Sequence, residues 1–147
     1  MKDRYIYPAA FFWDEDTAQY GVYWPDLPGC VTVGADQAEA LRMAKDAMAL
    51  HLWGMEDDGD DIPAPTEIKG LDLQEGHIAV LVEAFMPPFR ERMNNKAVTK
   101  AVTVPRWLDL EAKEARLNYS QILQDGLMER LGIRRKAPNR RKKNIAV

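Results

Sequence analysis

Few side chains in this sequence are of types suited to catalysis, and their spacing gives them little to do. His51 and His77 are its two histidines, Cys30 is its one cysteine, and Asp14-Glu15-Asp16 is an acidic triplet. A two-metal nuclease needs carboxylates that converge from separate elements onto ions roughly 4 Å apart. Three consecutive acids between two aromatic-rich segments instead read as a solvated hairpin turn. The run Glu56, Asp57, Asp58, Asp60, Asp61 reads as a helix end and loop. His51 falls on an apolar helical stripe, His77 opens a strand, and no metal-binding spacing joins them. Cys30 has no base in its vicinity and cannot form an internal disulfide or a cysteine-rich zinc site. The residues therefore point to no catalytic group, no metal and no cofactor. A degenerate hydrolase relying on Asp14 and Asp16 is the competing reading.

Charge points to recognition instead. The net charge is −3, yet residues 1–85 carry 5 Lys/Arg against 17 Asp/Glu, and residues 86–147 carry 15 against 6. Such asymmetry suggests that the basic part contacts nucleic acid or a membrane surface. Seven of the positive charges lie in residues 134–143, where no periodicity supports structure. The apolar runs at 8–13 and 78–82 are far shorter than the roughly 20 residues of a membrane helix. The charged start, Met1-Lys2-Asp3-Arg4, has no signal-peptide block. A cytoplasmic protein with no membrane contact is expected.

The elements that must position these residues follow from periodicity. Residues 5–13 and 20–24 are rich in aromatic and small apolar side chains and read as a hairpin about the turn at 14–17. Pro25-Asp26-Leu27-Pro28-Gly29 is a loop, because two prolines and a glycine break any ladder. Residues 30–33 form a third strand, closed by Gly34. Asp36 with Glu39 has capping-box spacing. Ala40, Leu41, Ala44, Ala47, Met48, His51, Leu52 and Met55 then recur at helical spacing. Gly54 and the acids after it end that helix, and Ile62-Pro63-Ala64-Pro65 is extended. Residues 77–83 form a strand that is apolar on both faces, which predicts a central position in its sheet. The first part is thus β-β-β-α-β, of the α+β class, over residues 1–86.

Met86-Pro87-Pro88 predicts a hinge, and residues 87–95 a linker in which 89–95 can form a short helix. Residues 98–104 read as a strand stopped by Pro105, 106–117 as a helix using Trp107, Leu108, Leu110 and Ala115, and 119–131 as a second helix. Asn118 and Gln121 cap that second helix and Gly132 ends it. One strand and two helices over 96–133 cannot complete a ladder or bury a sufficient core alone. Pairing two chains through the strand solves both problems, and a two-stranded ribbon fits the DNA major groove. A plain oligomerisation module is the competing reading.

Val102-Thr103-Val104-Pro105 followed by Asn118-Tyr119-Ser120-Gln121 resembles ribbon-helix-helix proteins. Period two turns Val102 and Val104 toward the helices and Thr99, Ala101 and Thr103 toward the groove. The resemblance implies that these three read base edges, that the amides at Asn118, Tyr119 and Ser120 hold a phosphate, and that Lys100 and Arg106 lie beside phosphates. Two threonines and an alanine are short for base reading. Either specificity rests partly on DNA shape, or the register shifts so that Lys100 faces the groove.

The first part, with Pro25-Asp26-Leu27-Pro28-Gly29-Cys30, then Glu39-Ala40-Leu41 and the Ile62–Pro65 exit, resembles the HicB family of antitoxins. That resemblance implies a reduced RNase H-like sheet without catalytic acids, and a HicA-type toxin that cleaves RNA as protein partner. It also implies repression of the protein's own operon through operator DNA. Tyr23, Trp24, Asp26 and Leu27 are the candidate toxin contacts, although Tyr23 and Trp24 can equally be alternate sheet residues with one in the core. A homodimer through the ribbon is expected, with a tetramer as the further assembly. The alternative function is a stand-alone ribbon-helix-helix regulator whose first domain senses a protein or ligand.

Overall fold

The computed structural model describes residues 1–134, so the basic tail expected over 134–147 lies outside the described residues beyond Arg134. The chain divides into two compact units, the first spanning Met1–Val98 and the second beginning at Thr99. The fold is mixed α/β, with a four-stranded antiparallel sheet and four α-helices among the described residues.

In the first unit, β1 (Arg4–Asp14), β2 (Gln19–Tyr23), β3 (Val31–Gly34) and β4 (Ile78–Phe85) form one sheet in the order β3-β2-β1-β4. The register sets Tyr7 opposite Val82 and Phe11 opposite Val22. Alternation along β1 therefore turns Tyr5, Tyr7 and Ala9 to the face covered by α1 (Gln37–Asp58), where they meet Ala40, Ala44, Met48 and Leu52. Full burial of Met48 or Leu52 contributes about 1.5–3 kcal/mol each. The alanines let the helix approach closely, and so does Gly34. A Cβ on Gly34 would sit 2.4 Å from the backbone nitrogen of Ala40, so β3 and the first turn of α1 pack backbone to backbone.

The Asp36 cap forms as the spacing predicts, its carboxylate accepting from Glu39 N–H at 2.8 Å, while Glu39 reaches back to Ala35 N–H at 2.7 Å. Gly54 does not end the helix. α1 continues to Asp58 and is closed by Gly59, whose φ of 74° is costly for other residues and which donates to Glu56 O.

Three expectations need correction. The strand at 77–83 is not central. β4 pairs with β1 alone and is an edge strand among the described residues, because α1 crosses toward β3 and no further strand follows. The short helix expected over 89–95 forms, but it begins earlier and takes in the expected hinge: α2 (Met86–Asn94) carries its prolines in the first turn, where missing N–H groups cost nothing. Met86 and Phe89 are buried in the same core as α1, so the first unit runs on to Val98. Third, residues 98–104 carry no strand. A lone extended segment has nothing within one chain to complete its ladder.

The second unit holds α3 (Arg106–Glu114) and α4 (Tyr119–Leu131). α3 stops before Leu117 because Arg116 adopts φ of 53° and Leu117 N–H turns back to Ala112 O at 3.0 Å. Asn118 caps α4 by accepting from Gln121 N–H at 3.1 Å, and Gly132 ends it. Ala112 is the one buried apolar residue among this unit's described residues. Trp107, Leu108 and Leu110, expected in the core, are exposed, as are Ile122 and Leu127. Among the described residues, no helix is long and apolar enough to cross a membrane.

Candidate functional site

The loop after β2 is built by its own backbone. Leu27 N–H donates to Trp24 O at 3.2 Å, Cys30 N–H to Leu27 O at 3.0 Å and Trp24 N–H to Cys30 O at 3.3 Å. These bonds drive Trp24 and Leu27 inward, to 2% and 1% exposure. Both were expected as toxin contacts, with the alternative that one of Tyr23 and Trp24 lies in the core. Trp24 takes that alternative, and Leu27 is a core residue as well, so neither is an exposed anchor. Cys30 is buried beside them, and burial pushes its thiol up to about 11. It stays protonated, with Sγ–H directed at Ala47 O 3.8 Å away.

Asp26 and Tyr23 remain partly accessible, and each has an internal partner. The Asp26 carboxylate accepts from Thr66 N–H at 2.9 Å and from the Thr66 hydroxyl at 2.6 Å. Tyr7 O–H donates to Pro63 O. Together these bonds hold the extended exit from α1 against the loop and against β1. One result is a depression of about 440 Å³ that brings Asp26, Asp58 and Asp60 together with His51. The Tyr23 hydroxyl lies 2.9 Å from His77 Nδ1, and the His77 ring stacks on Phe12 at 4.6 Å between centroids. Sequence reasoning found neither grouping. His77 stands 54 positions from Tyr23, and only the β1–β4 register, with Phe11 opposite Ile78, places it beside Phe12. The pairing of Asp26 with the acids after α1 depends on a chain path that periodicity does not encode.

Glu56, read as part of a solvated acidic run, is an internal anchor. Its side chain is 6% exposed and accepts from Arg90 Nε at 2.9 Å, Arg90 Nη2 at 2.7 Å and the Tyr5 hydroxyl at 3.0 Å. The Arg90 hydrogen bonds hold the Glu56 carboxyl below its usual value against the opposing effect of burial. Arg90 also donates to Lys2 O at 2.6 Å, so α2, the end of α1 and the amino terminus are tied at one point.

In the second unit, Thr99, Lys100, Ala101, Thr103 and Arg106 are all exposed, along an irregular segment and the start of α3. Asn118, Tyr119 and Ser120 lie together at the amino end of α4, and they too are exposed. The Tyr119 hydroxyl donates to the Asp109 carboxylate at 2.5 Å, and Lys113 reaches the same carboxylate at 2.7 Å. Lys113 first, then Tyr119, lowers the Asp109 pKa. The Tyr119 side chain thus joins α4 to α3, leaving only its backbone amide for the expected phosphate contact.

Among the described residues, no group of three or more His, Cys, Asp or Glu is placed to hold a metal ion. The model for the HicB-like antitoxins of bacterial toxin–antitoxin systems matches residues 7–126. The chain belongs to the HicB-like antitoxin family. Among solved structures, this HicB-like chain is similar to one in a toxin–antitoxin complex from Streptococcus pneumoniae. The two are 22% identical, with a TM-score of 0.57 over 86% of this chain and 99% of the other. At that identity the likeness concerns the fold. The Burkholderia pseudomallei antitoxin HicB matches 86% of this chain and 98% of its own, at 20% identity and a TM-score of 0.49. An uncharacterized 14.9 kDa protein from the rep-hol intergenic region of Haemophilus phage HP1 is 38% identical over 50 residues, 34% of this chain. The match spans 38% of the length of that curated relative.

Proposed function

We propose that this protein is an antitoxin whose first unit, a reduced RNase H-like domain, binds and neutralises a HicA-type, mRNA-cleaving toxin. Its second unit, a ribbon-helix-helix domain, binds operator DNA and represses the operon. The observation that carries the reading is the family match across residues 7–126, which spans both units. A solved relative is described as a HicA3 and HicB3 toxin–antitoxin complex. Electrostatics supports the first assignment. A toxin that cuts RNA presents a basic surface, and a first part with 17 acids against 5 bases attracts it and competes with RNA. The depression bearing Asp26, Asp58 and Asp60 is the candidate contact, with Tyr23 at the sheet beside the loop.

The second assignment is supported by what the lone chain leaves unsatisfied. Residues 98–104 have no ladder partner, and α3 and α4 expose Trp107, Leu110, Ile122 and Leu127. A second copy would pair the segments into a ribbon and cover those side chains. Thr99, Ala101 and Thr103 would then face the groove, with Lys100, Arg106 and the amino end of α4 near phosphates.

The test is co-expression with a short reading frame adjacent to the gene that encodes a candidate toxin, followed by pull-down and an RNA-cleavage assay. The expected result is a stable complex in which cleavage is silenced. Failure of the pair to co-purify would overturn the antitoxin assignment. Separately, retention of the upstream DNA by the full chain, strongest at low salt, checks the repressor role.

A further inference from the structure

The cations of the first unit are few, and three of them meet at one hollow. Residues 1–98 hold 8 Lys/Arg against 18 Asp/Glu. Both cations of α1, Arg42 and Lys45, fall on one side of the helix, in line with Ala49. Lys45 and Ala49 line a hollow of about 300 Å³ with Arg4 of β1, Phe85 of β4, and Phe89 and Arg92 of α2. Among the described residues, no carboxylate lies within ion-pair distance of Lys45 or Arg92. Two acids line the hollow, Asp46 and Glu83, and Glu83 is paired with Arg4. Aromatic rings stand beside the cations. The Arg4 guanidinium lies 4.6 Å from the centre of the Phe85 ring, and that of Arg92 lies 5.2 Å from the centre of the Phe89 ring. Phe89 is buried, while Phe85 is 48% exposed.

We propose that this hollow binds a single-stranded polynucleotide, with a base against Phe85 and the flanking phosphates on Lys45, Arg92 and Arg4. The chemistry selects this ligand from both of its parts. Guanidinium groups present a planar set of donors that matches phosphate, and they stack on aromatic faces. Unpaired bases stack in turn on aromatic rings or on guanidinium planes. A phosphate ion alone makes no use of the exposed Phe85 ring. A duplex keeps its bases inside and cannot offer one to a concave wall. The acidity of the unit does not forbid the contact. Asp14 stands ten residues along β1 from Arg4, roughly 33 Å away. Glu56 and the acids after it begin eleven residues along α1 from Lys45, about 16 Å away. Both spans exceed the screening length of about 8 Å at physiological salt, so the local cations set the sign at the hollow. Every residue that lines the hollow belongs to the first unit, and none also lines the Asp26, Asp58 and Asp60 depression. The site is therefore separate from the proposed toxin contact and from the ribbon.

The test is fluorescence anisotropy of the full chain with labelled RNA and DNA single strands of about ten nucleotides, and with a DNA duplex. The variants are Lys45→Gln, Arg92→Gln and Phe85→Leu. Lys69→Gln, on the same unit and away from the hollow, is the charge-matched control. Circular dichroism and melting check that each fold is kept. The seven positive charges at 134–143 add a background common to all variants, so differences between variants carry the result. Lys45→Gln and Arg92→Gln should each weaken single-strand binding about 5- to 10-fold at about 50 mM salt and lower the salt slope by about 0.7. Phe85→Leu should weaken it about 5-fold or more with the slope unchanged. Lys69→Gln should do neither, and duplex binding should be the same in all four. The RNA and DNA arms decide whether the sugar matters, and binding of either strand in this pattern supports the site. A strand carrying a photoreactive uracil should crosslink to the peptide containing Phe85 to Arg92. Equal losses for Lys45→Gln and Lys69→Gln, or crosslinks confined to residues beyond 98, overturn the proposal. So does a duplex weakened by the same variants, which would make the hollow a contact for phosphate alone.

Discussion

Replacing Arg90 with Met tests whether α2 belongs to the first unit as a structural part or merely follows it. The substitution keeps most of the stem's volume. It removes two hydrogen bonds to Glu56, at 2.9 and 2.7 Å, and one to Lys2 O at 2.6 Å. The Glu56 carboxylate, 6% exposed, keeps only the Tyr5 hydroxyl at 3.0 Å. Removing one partner of a buried pair costs roughly 3–5 kcal/mol. The lower end applies here, because Arg90 is itself 15% exposed and its contact with the exposed Asp3 adds little. A loss of about 3 kcal/mol lowers Tm by roughly 12–24 °C at the sensitivity of a domain of this size. Tryptophan fluorescence reports the first unit through Trp13, Trp24 and Trp53, in a Trp107→Phe background that silences the second. The effect must also depend on pH. Glu56 titrates below its usual 4.5 in the folded protein, so its stabilisation is complete above that value and is lost as pH falls through the lowered pKa. The gap between wild type and variant is therefore wide at neutral pH and narrow in acid. A loss under about 1 kcal/mol at neutral pH, the range of exposed ion pairs, or a gap that does not change with pH, would refute the reasoning.

Gly34→Ala should destabilise the first unit by about 1–3 kcal/mol in urea titration, since the added carbon meets the backbone of Ala40 and not a yielding side chain. Asp26→Ala should speed amide exchange across residues 62–66 and weaken toxin capture, because it releases Thr66 and removes one acid from the depression. Lys100→Ala should weaken DNA retention equally across sequences and reduce the salt slope by about 1 per contact, as expected for a phosphate neighbour. A change in sequence preference would instead place Lys100 among the groove-facing positions.

Much of the fold was legible because its signals are local. The Asp36 and Asn118 caps, the stripe from Ala40 to Leu52 and the glycine stop at 132 each depend on residues within a turn or two, and each appears as spaced except at Leu41, which the stripe included and the fold leaves exposed. The hinge failed at Met86-Pro87-Pro88 because proline is compatible with a helix's first turn, and burial of Met86 and Phe89 settled the matter. Gly54 failed as a stop because a single glycine inside a helix costs only about 1 kcal/mol, less than the packing of Leu52 and Met55 on either side.

The family was legible in its motifs, since Pro25–Cys30, Glu39–Leu41 and the Ile62–Pro65 exit all fall within the matched residues 7–126. Trp24 and Leu27 were misread because an aromatic beside a proline-rich loop has the same sequence pattern whether it faces out or in, and three backbone hydrogen bonds decide for the inside. The acidity of the first unit, the identity and type of most elements and the family motifs reside in the sequence itself, as sums and short spacings. Three features required the tertiary structure: the edge position of β4, the meeting of Tyr23 with His77, and the conversion of Glu56 from a solvated acid to a buried anchor. Each depends on which distant segments the sheet order and the crossing of α1 bring together, and neither composition nor periodicity carries that information.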